Sequence, residues 1–162
     1  MIEEILEQNI VSKFQNALTS LSSSGVSIDG FWIASSTGSV KGVENVSSPA
    51  FLSVVAKPRA FESFSTPKAD FAFSLALAVR EELDPDRSIF IRLASQISGI
   101  LQSWQSSIAD VKRDFAAAGF SPAGFRLDGG DAFHDENRHA LVFSQSFTVR
   151  GIITNQERNS NQ

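Results

Sequence analysis

Apolar residues near the start of the sequence recur at the spacing of an amphipathic helix. They stand at positions 2, 5, 6, 10, 14, 17, 18 and 21, which places them on one stripe of a helix. Ser22-Ser23-Ser24-Gly25 then ends the pattern with residues that favour turns. The spacing therefore predicts a helix over residues 2–21.

Two further stretches predict helices in the middle of the chain. The apolar residues of 89–104 follow a helical stripe, and Asp86 or Ser88 is placed to cap its start. Residues 107–110 form a capping box that opens a shorter helix. Gly119 is positioned as the glycine that follows the end of this helix.

Alternation with a period of two predicts strands. Residues 69–80 are predicted as one long strand, because from Phe71 to Val79 every second residue is large and apolar and the residues between them are only alanine or serine. These small residues are Ala72, Ser74, Ala76 and Ala78. Residues 139–153 alternate in the same way, with Ser144, Ser146 and Thr148 on the second face. Shorter strands are predicted at 31–34, 50–56 and 123–127.

The order of these elements predicts an α+β fold. Consecutive strands joined by short turns favour an antiparallel sheet of four to five strands, with two main helices packed on one face. Residues 1–153 are expected to form one domain, and the polar residues 154–162 a disordered tail. The last two strands are expected to form a hairpin whose turn begins at residues 128–131 and whose loop runs to Arg138.

Composition excludes several kinds of chemistry. The 162 residues include no cysteine and no tyrosine, so a thiolate nucleophile, a disulfide framework and a phenolic acid or base are ruled out. The formal charge of −4 and a pI near 5.1 argue against binding to nucleic acid phosphates. No apolar stretch is long enough to predict a membrane span.

The search for a catalytic or metal site yields weak candidates. Ser121 lies in Gly-Phe-Ser-Pro-Ala-Gly, where the second glycine comes one residue too late for a nucleophile elbow. His134 and His139 lie among acidic residues, but their spacing matches no known metal motif, and we interpret this segment as a solvated hairpin tip. Metal binding by the two histidines stays open. The sequence predicts no catalytic residue, no cofactor and no enzymatic activity.

The unusual feature of the chain is the second face of its two long strands. The two helices can cover only one face of the sheet, so the small residues at 72, 74, 76, 78, 144, 146 and 148 are predicted to form a subunit interface. A solvated face is the alternative interpretation. The residues of the hairpin tip, Gly129, Gly130, Asp131, His134 and Asp135, are predicted to form a loop that contacts a partner.

The order of elements resembles that of the tail terminator (tail completion) proteins of lambda-like long-tailed phages. The resemblance rests on the helix 2–21, the strand 51–59 leading into 70–80, the helix 89–104 and the hairpin of 124–127 with 139–153. It covers most of the chain but includes no diagnostic motif.

The resemblance implies a virion structural protein without catalytic activity. Such a protein is made in the host cytoplasm and forms a hexameric ring, which caps the tail tube and joins it to the head. Its expected partners are copies of itself, the tail-tube protein and the head–tail connector. A tail-tube or connector protein is the nearest alternative, and a small-molecule-binding domain is a third.

Overall fold

The computed structural model describes residues 2–22, 32–35, 50–57 and 68–154. The helices are α1 (Ile2–Ser22), α2 (Ser88–Ser106) and α3 (Ile108–Asp114), and a single 3₁₀ turn spans Glu81–Leu83. The strands are β1 (Trp32–Ser35), β2 (Ala50–Ala56), β3 (Lys68–Arg80), β4 (Phe120–Asp135) and β5 (Ala140–Ile153). Apart from Thr154, the predicted C-terminal tail lies outside the described residues. No described helix is both long and apolar enough to cross a membrane.

The five strands form one sheet in the order β1-β2-β3-β5-β4. Three neighbouring pairs are antiparallel: β2 with β3, β3 with β5, and β5 with β4. The short β1 lies at the edge of the sheet and is parallel to β2. The longest uninterrupted ladder joins β3 to β5 over the whole of β3, from the Lys68–Ile152 pair to the Arg80–Ala140 pair. This arrangement confirms the predicted α+β fold.

The helices and one face of the sheet enclose a single hydrophobic core. The large alternating residues of β3 point into it, together with most of the stripe predicted for α2. Of the stripe predicted for α1, positions 2, 6, 10 and 14 are buried, whereas Ile5 is 40% exposed. The side chains of the stripe at 17, 18 and 21 lie outside those that the structure describes. Trp104 of α2 occupies the centre of an aromatic cluster, with ring centroids 4.7 to 6.0 Å from those of Phe14, Phe115, Phe125 and Phe147. Burial of these rings removes apolar area from water, which stabilises the fold by about 25 cal/mol per Å².

The ends of two helices differ from the prediction. Asp84, which is 4% exposed, accepts hydrogen bonds from the backbone N–H groups of Ile89 (3.0 Å) and Phe90 (2.9 Å) at the start of α2. Asp86 accepts only from Ser88, at 3.2 Å from its N–H. Half of the predicted capping box is present, because Ser107 Oγ accepts from the backbone N–H of Asp110, whereas the Ser107 N–H donates to the carbonyl of Ser103. Helix α3 nevertheless ends at Asp114, five residues before Gly119.

The hairpin turn lies later than the sequence predicts. Strand β4 continues through Gly129, Gly130, Asp131 and His134 to Asp135, and the turn comprises residues 136–139. A register shift between Leu127 and Gly130 accommodates the glycine pair inside the ladder. The prediction that Gly129, Gly130, Asp131, His134 and Asp135 form a loop was therefore wrong. A glycine-rich segment is typical of a turn, but here pairing with β5 keeps it extended.

Candidate interaction surface

One face of the sheet carries no helix in the part of the chain that the structure describes. We call it the open face, and its central part is made by β2, β3 and β5. The residues of this central part are Ser53, Val55, Ala72, Ser74, Ala76, Ala78, Val142, Ser144, Ser146 and Thr148. They share a face because cross-strand partners in an antiparallel sheet point the same way.

The seven residues predicted to form an interface all lie on this open face. Ala72 pairs with Thr148, Ser74 with Ser146, and Ala76 with Ser144. Ala78 lies in the next row of the same face, opposite Val142. Six of the seven are partly exposed, whereas Thr148 is only 6% exposed. The structure thus brings the predicted residues together as a flat surface of small side chains.

Charged side chains flank the central part at the end of the sheet where β3 begins. We call this group the basic end: it consists of Lys57, Lys68, Asp70, Arg126, Asp128 and Arg150. The Arg150 guanidinium donates to both carboxylate oxygens of Asp70, at 2.9 and 3.3 Å. Arg126 Nε donates to Asp128 at 2.7 Å. Thr148 Oγ1 donates to the same carboxylate at 2.6 Å, which explains why this threonine is covered.

These contacts change the protonation of both aspartates. The hydrogen bond from Thr148, followed by that from Arg126, lowers the pKa of Asp128. The hydrogen bond from Arg150 is the main reason why the pKa of Asp70 is lowered, and desolvation opposes it. Both carboxylates are therefore anionic at neutral pH, and the basic end is an array of paired charges.

The other end of the sheet is acidic. We call it the hairpin end, comprising residues 80–82 and 131–138. Asp131, Phe133 and Asp135 alternate along β4, and their partners on β5 are Ser144, Val142 and Ala140, so all three belong to the open face. Phe133 is 46% exposed. On the other side of the same strand His134 Nε2 lies 2.8 Å from Glu81 Oε1, which fastens the hairpin to the 3₁₀ turn after β3.

The candidate catalytic and metal residues do not converge. His134 contacts Glu81, whereas His139 lies in the turn with a positive φ of 50°. Ser121 is an exposed strand residue opposite Ile152, and no strand-to-helix elbow surrounds it. Across the described ranges there is no group of three or more His, Asp or Glu side chains that could hold a metal ion.

Sequence reasoning named Asp131 and Asp135 at the hairpin end but missed Phe133 between them, and it missed the Asp70–Arg150 pair at the basic end. The alternation of β4 is hidden by its two register shifts, so Phe133 was not assigned to a face. The pairing of Asp70 with Arg150 joins residues that are 80 positions apart. The sequence does indicate that both residues lie on the open face, because Asp70 is two positions before Ala72 and Arg150 is two positions after Thr148. The pattern of charge at the strand ends could therefore have been found.

No protein-family model matches this chain, and a search of curated proteins finds no match.

Proposed function

We propose that this chain is a virion structural protein that self-assembles into a ring through the open face of its sheet, like a phage tail terminator. In this role it caps the tail tube, joins it to the head and catalyses no reaction. The observation that carries the proposal is the set of seven small or hydroxyl residues gathered on one face that carries no helix in the described ranges.

A face of this composition suits contact between protein copies. Alanine and serine side chains are short, so a second backbone can approach closely without a gap. On β3 and β5 its middle rows carry only alanine and serine, at positions 74, 76, 144 and 146. Exposed apolar residues accompany them: Val55 on β2 is 37% exposed, and Phe133 and Ile152 are each 46% exposed. Exposed apolar groups that border a flat polar surface are typical of interaction sites.

The test compares Ala76→Arg with Ala109→Arg. Ala76 is in the middle of the open face, whereas Ala109 is exposed on α3, on the helix side of the molecule. We expect the unmodified chain and Ala109→Arg to form rings at tens of micromolar, and Ala76→Arg to stay monomeric, because a buried unpaired charge costs several kcal/mol. Sedimentation velocity and native mass spectrometry measure the particle mass. A monomeric unmodified chain, or equal assembly of both variants, contradicts the proposal.

Electron microscopy separates the terminator role from its nearest alternative. A terminator stops at one ring, whereas a tail-tube protein polymerises into long hollow filaments. Negative-stain images that show single rings support the first role, and filaments support the second. Both roles use the same open face, so Ala76→Arg is expected to abolish either kind of particle.

A further inference from the structure

The hairpin end carries an exposed aromatic ring between two carboxylates. Phe133 lies between Asp131 and Asp135 on the open face, and nearly half of it is exposed. The wider hairpin end contains five carboxylates and two arginines, giving a net charge of −3: Glu81, Glu82, Asp131, Asp135 and Glu136 against Arg80 and Arg138.

The basic end mirrors this arrangement with the opposite charge. Ile152 is exposed to the same extent as Phe133, and it lies on the open face opposite Lys68 and two residues after Arg150. The basic end has four cations and two carboxylates, giving a net charge of +2: Lys57, Lys68, Arg126 and Arg150 against Asp70 and Asp128.

Phe133 and Ile152 of one molecule are too far apart to contact each other, although Asp131 follows Asp128 by only three residues on β4. Phe133 pairs with Val142, and Ile152 follows Val142 by ten positions along β5. At about 3.3 Å per residue this distance is roughly 33 Å, several times the Debye length at physiological ionic strength. Phe133 can therefore meet an Ile152 side chain only on another molecule, and a second copy of this chain supplies it together with flanking charges of the opposite sign.

We propose that the hairpin end of one copy docks on the basic end of the next, with Phe133 against Ile152 and the flanking charges paired. The inference rests on the proposed ring, in which every contact joins two different surfaces. Complementary charges at the margin of such a contact set its orientation and accelerate association. The apolar pair at its centre stabilises the contact, because its surface is removed from water.

The experiment reverses the charge of one end at a time. The first variant is Asp131→Lys/Glu136→Lys, and the second is Lys57→Glu/Lys68→Glu. All four residues are exposed, and the substitutions leave the Asp70–Arg150 and Arg126–Asp128 pairs in place. The control is Arg92→Glu/Lys112→Glu, which makes the same change of charge as the second variant on exposed helix positions. Circular dichroism and thermal melting establish that each variant is folded.

We expect each charge-reversed variant alone to associate at least about tenfold more weakly than the unmodified chain, because like charges then face each other. The control should assemble normally. A 1:1 mixture of the two variants should recover rings that contain equal numbers of both, because every contact is again between opposite charges. Native mass spectrometry with one variant isotopically labelled measures this ratio.

Each other outcome has a distinct meaning. Variants that assemble alone as well as the unmodified chain overturn the inference and leave the proposed ring intact. Loss of assembly without recovery in the mixture also overturns it, as does a mixture that stops at a closed dimer. A monomeric unmodified chain overturns the proposed function itself. Independently of any variant, assembly of the unmodified chain should weaken as salt rises from about 0.05 to 0.5 M, and salt-insensitive assembly contradicts charge pairing.

Discussion

The indole N–H of Trp104 donates a hydrogen bond to Oδ2 of Asp114, at 2.8 Å. It links the centre of the aromatic core to α3. The same carboxylate accepts from Arg113 and lies 3.5 Å from Lys13 Nζ of α1, so one aspartate joins all three helices. Trp104 is 1% exposed, and its N–H therefore has no access to water if this acceptor is removed.

We expect Asp114→Ala to lower the free energy of unfolding by about 1–3 kcal/mol, the cost of an unsatisfied buried donor. Asp131→Ala is the control, since it removes an exposed carboxylate and should change stability by less than about 0.5 kcal/mol. Chemical denaturation followed by tryptophan fluorescence measures both. Equal stability of the two variants would show that the hydrogen bond contributes nothing.

Acid should destabilise the folded chain, because folding lowers the pKa of several carboxylates that must be protonated at low pH. Burial acts to raise the pKa of Asp114, but the hydrogen bonds from Arg113 and Trp104 outweigh burial, so the pKa is lowered. The pKa of Asp128 is lowered by the hydrogen bonds from Thr148 and Arg126. Each such carboxylate stabilises the folded chain fully when the pH is above its pKa in the unfolded chain, which is 3.8. This contribution is lost as the pH falls through the lower pKa of the folded chain.

Unfolding measured from pH 6 to pH 2 should therefore show the loss of stability concentrated below about pH 4. In Asp128→Asn the dependence on pH should be shallower, because one of the protons bound on unfolding is absent. An unchanged slope in this variant would contradict the assignment.

Gly151 leaves room for an aromatic ring. A Cβ atom at this position would lie 2.4 Å from two ring atoms of Phe120 and 2.5 Å from the carbonyl oxygen of Ser121. The backbone must move to admit it, so Gly151→Ala is expected to cost about 1–3 kcal/mol. Gly129→Ala is the matched control, because nothing lies within 4 Å of its added Cβ. Similar melting temperatures for the two variants would be the opposite of the expected result.

Gly99 offers a stabilising substitution. It lies in the middle of α2, is exposed, and has nothing within 4 Å of an added Cβ. Gly99→Ala should raise the free energy of unfolding by about 0.8–1.0 kcal/mol, because alanine loses less backbone entropy in a helix. Differential scanning calorimetry should show a melting temperature about 2–4 °C higher. Assembly should not change.

Asp84 is the side chain on which the start of α2 depends. Asp84→Ala removes the acceptor of two backbone N–H groups and should cost about 1–2 kcal/mol. Asp86→Ala removes the exposed acceptor of Ser88 and should cost less than half as much. Urea denaturation of the two variants measures the difference, and a larger effect for Asp86 would mean that the cap is wrongly assigned.

Local patterns were sufficient to predict most elements of the fold. The stripe of α2 and the alternation of β3 each repeat over a dozen residues or more, and both face the core in the structure. The stripe of α1 faces the core at positions 2, 6, 10 and 14. The same alternation placed Ala76 and Ser144 on one face, because the period of a strand fixes the face of each residue once the register is known.

The features that the sequence did not predict depend on distant residues. Gly129 and Gly130 have the composition of a turn, but the Gln145 side chain donates to the Gly129 carbonyl at 3.1 Å and lies where a side chain at position 130 would be. The Glu81–His134 contact joins the 3₁₀ turn to a strand 53 residues later. Neither interaction can be deduced before the pairing of β4 with β5 is known.

The sheet separates the residues that hold the fold together from those that meet the surroundings. Phe71, Phe73, Leu75, Leu77 and Val79 are all buried against the helices, whereas the alternate positions of the same strand take no part in that core. Substitutions on one side of a single strand can therefore alter which molecules it recognises without altering how it folds. A lineage can acquire a new binding specificity through such changes and retain the stability of the original protein.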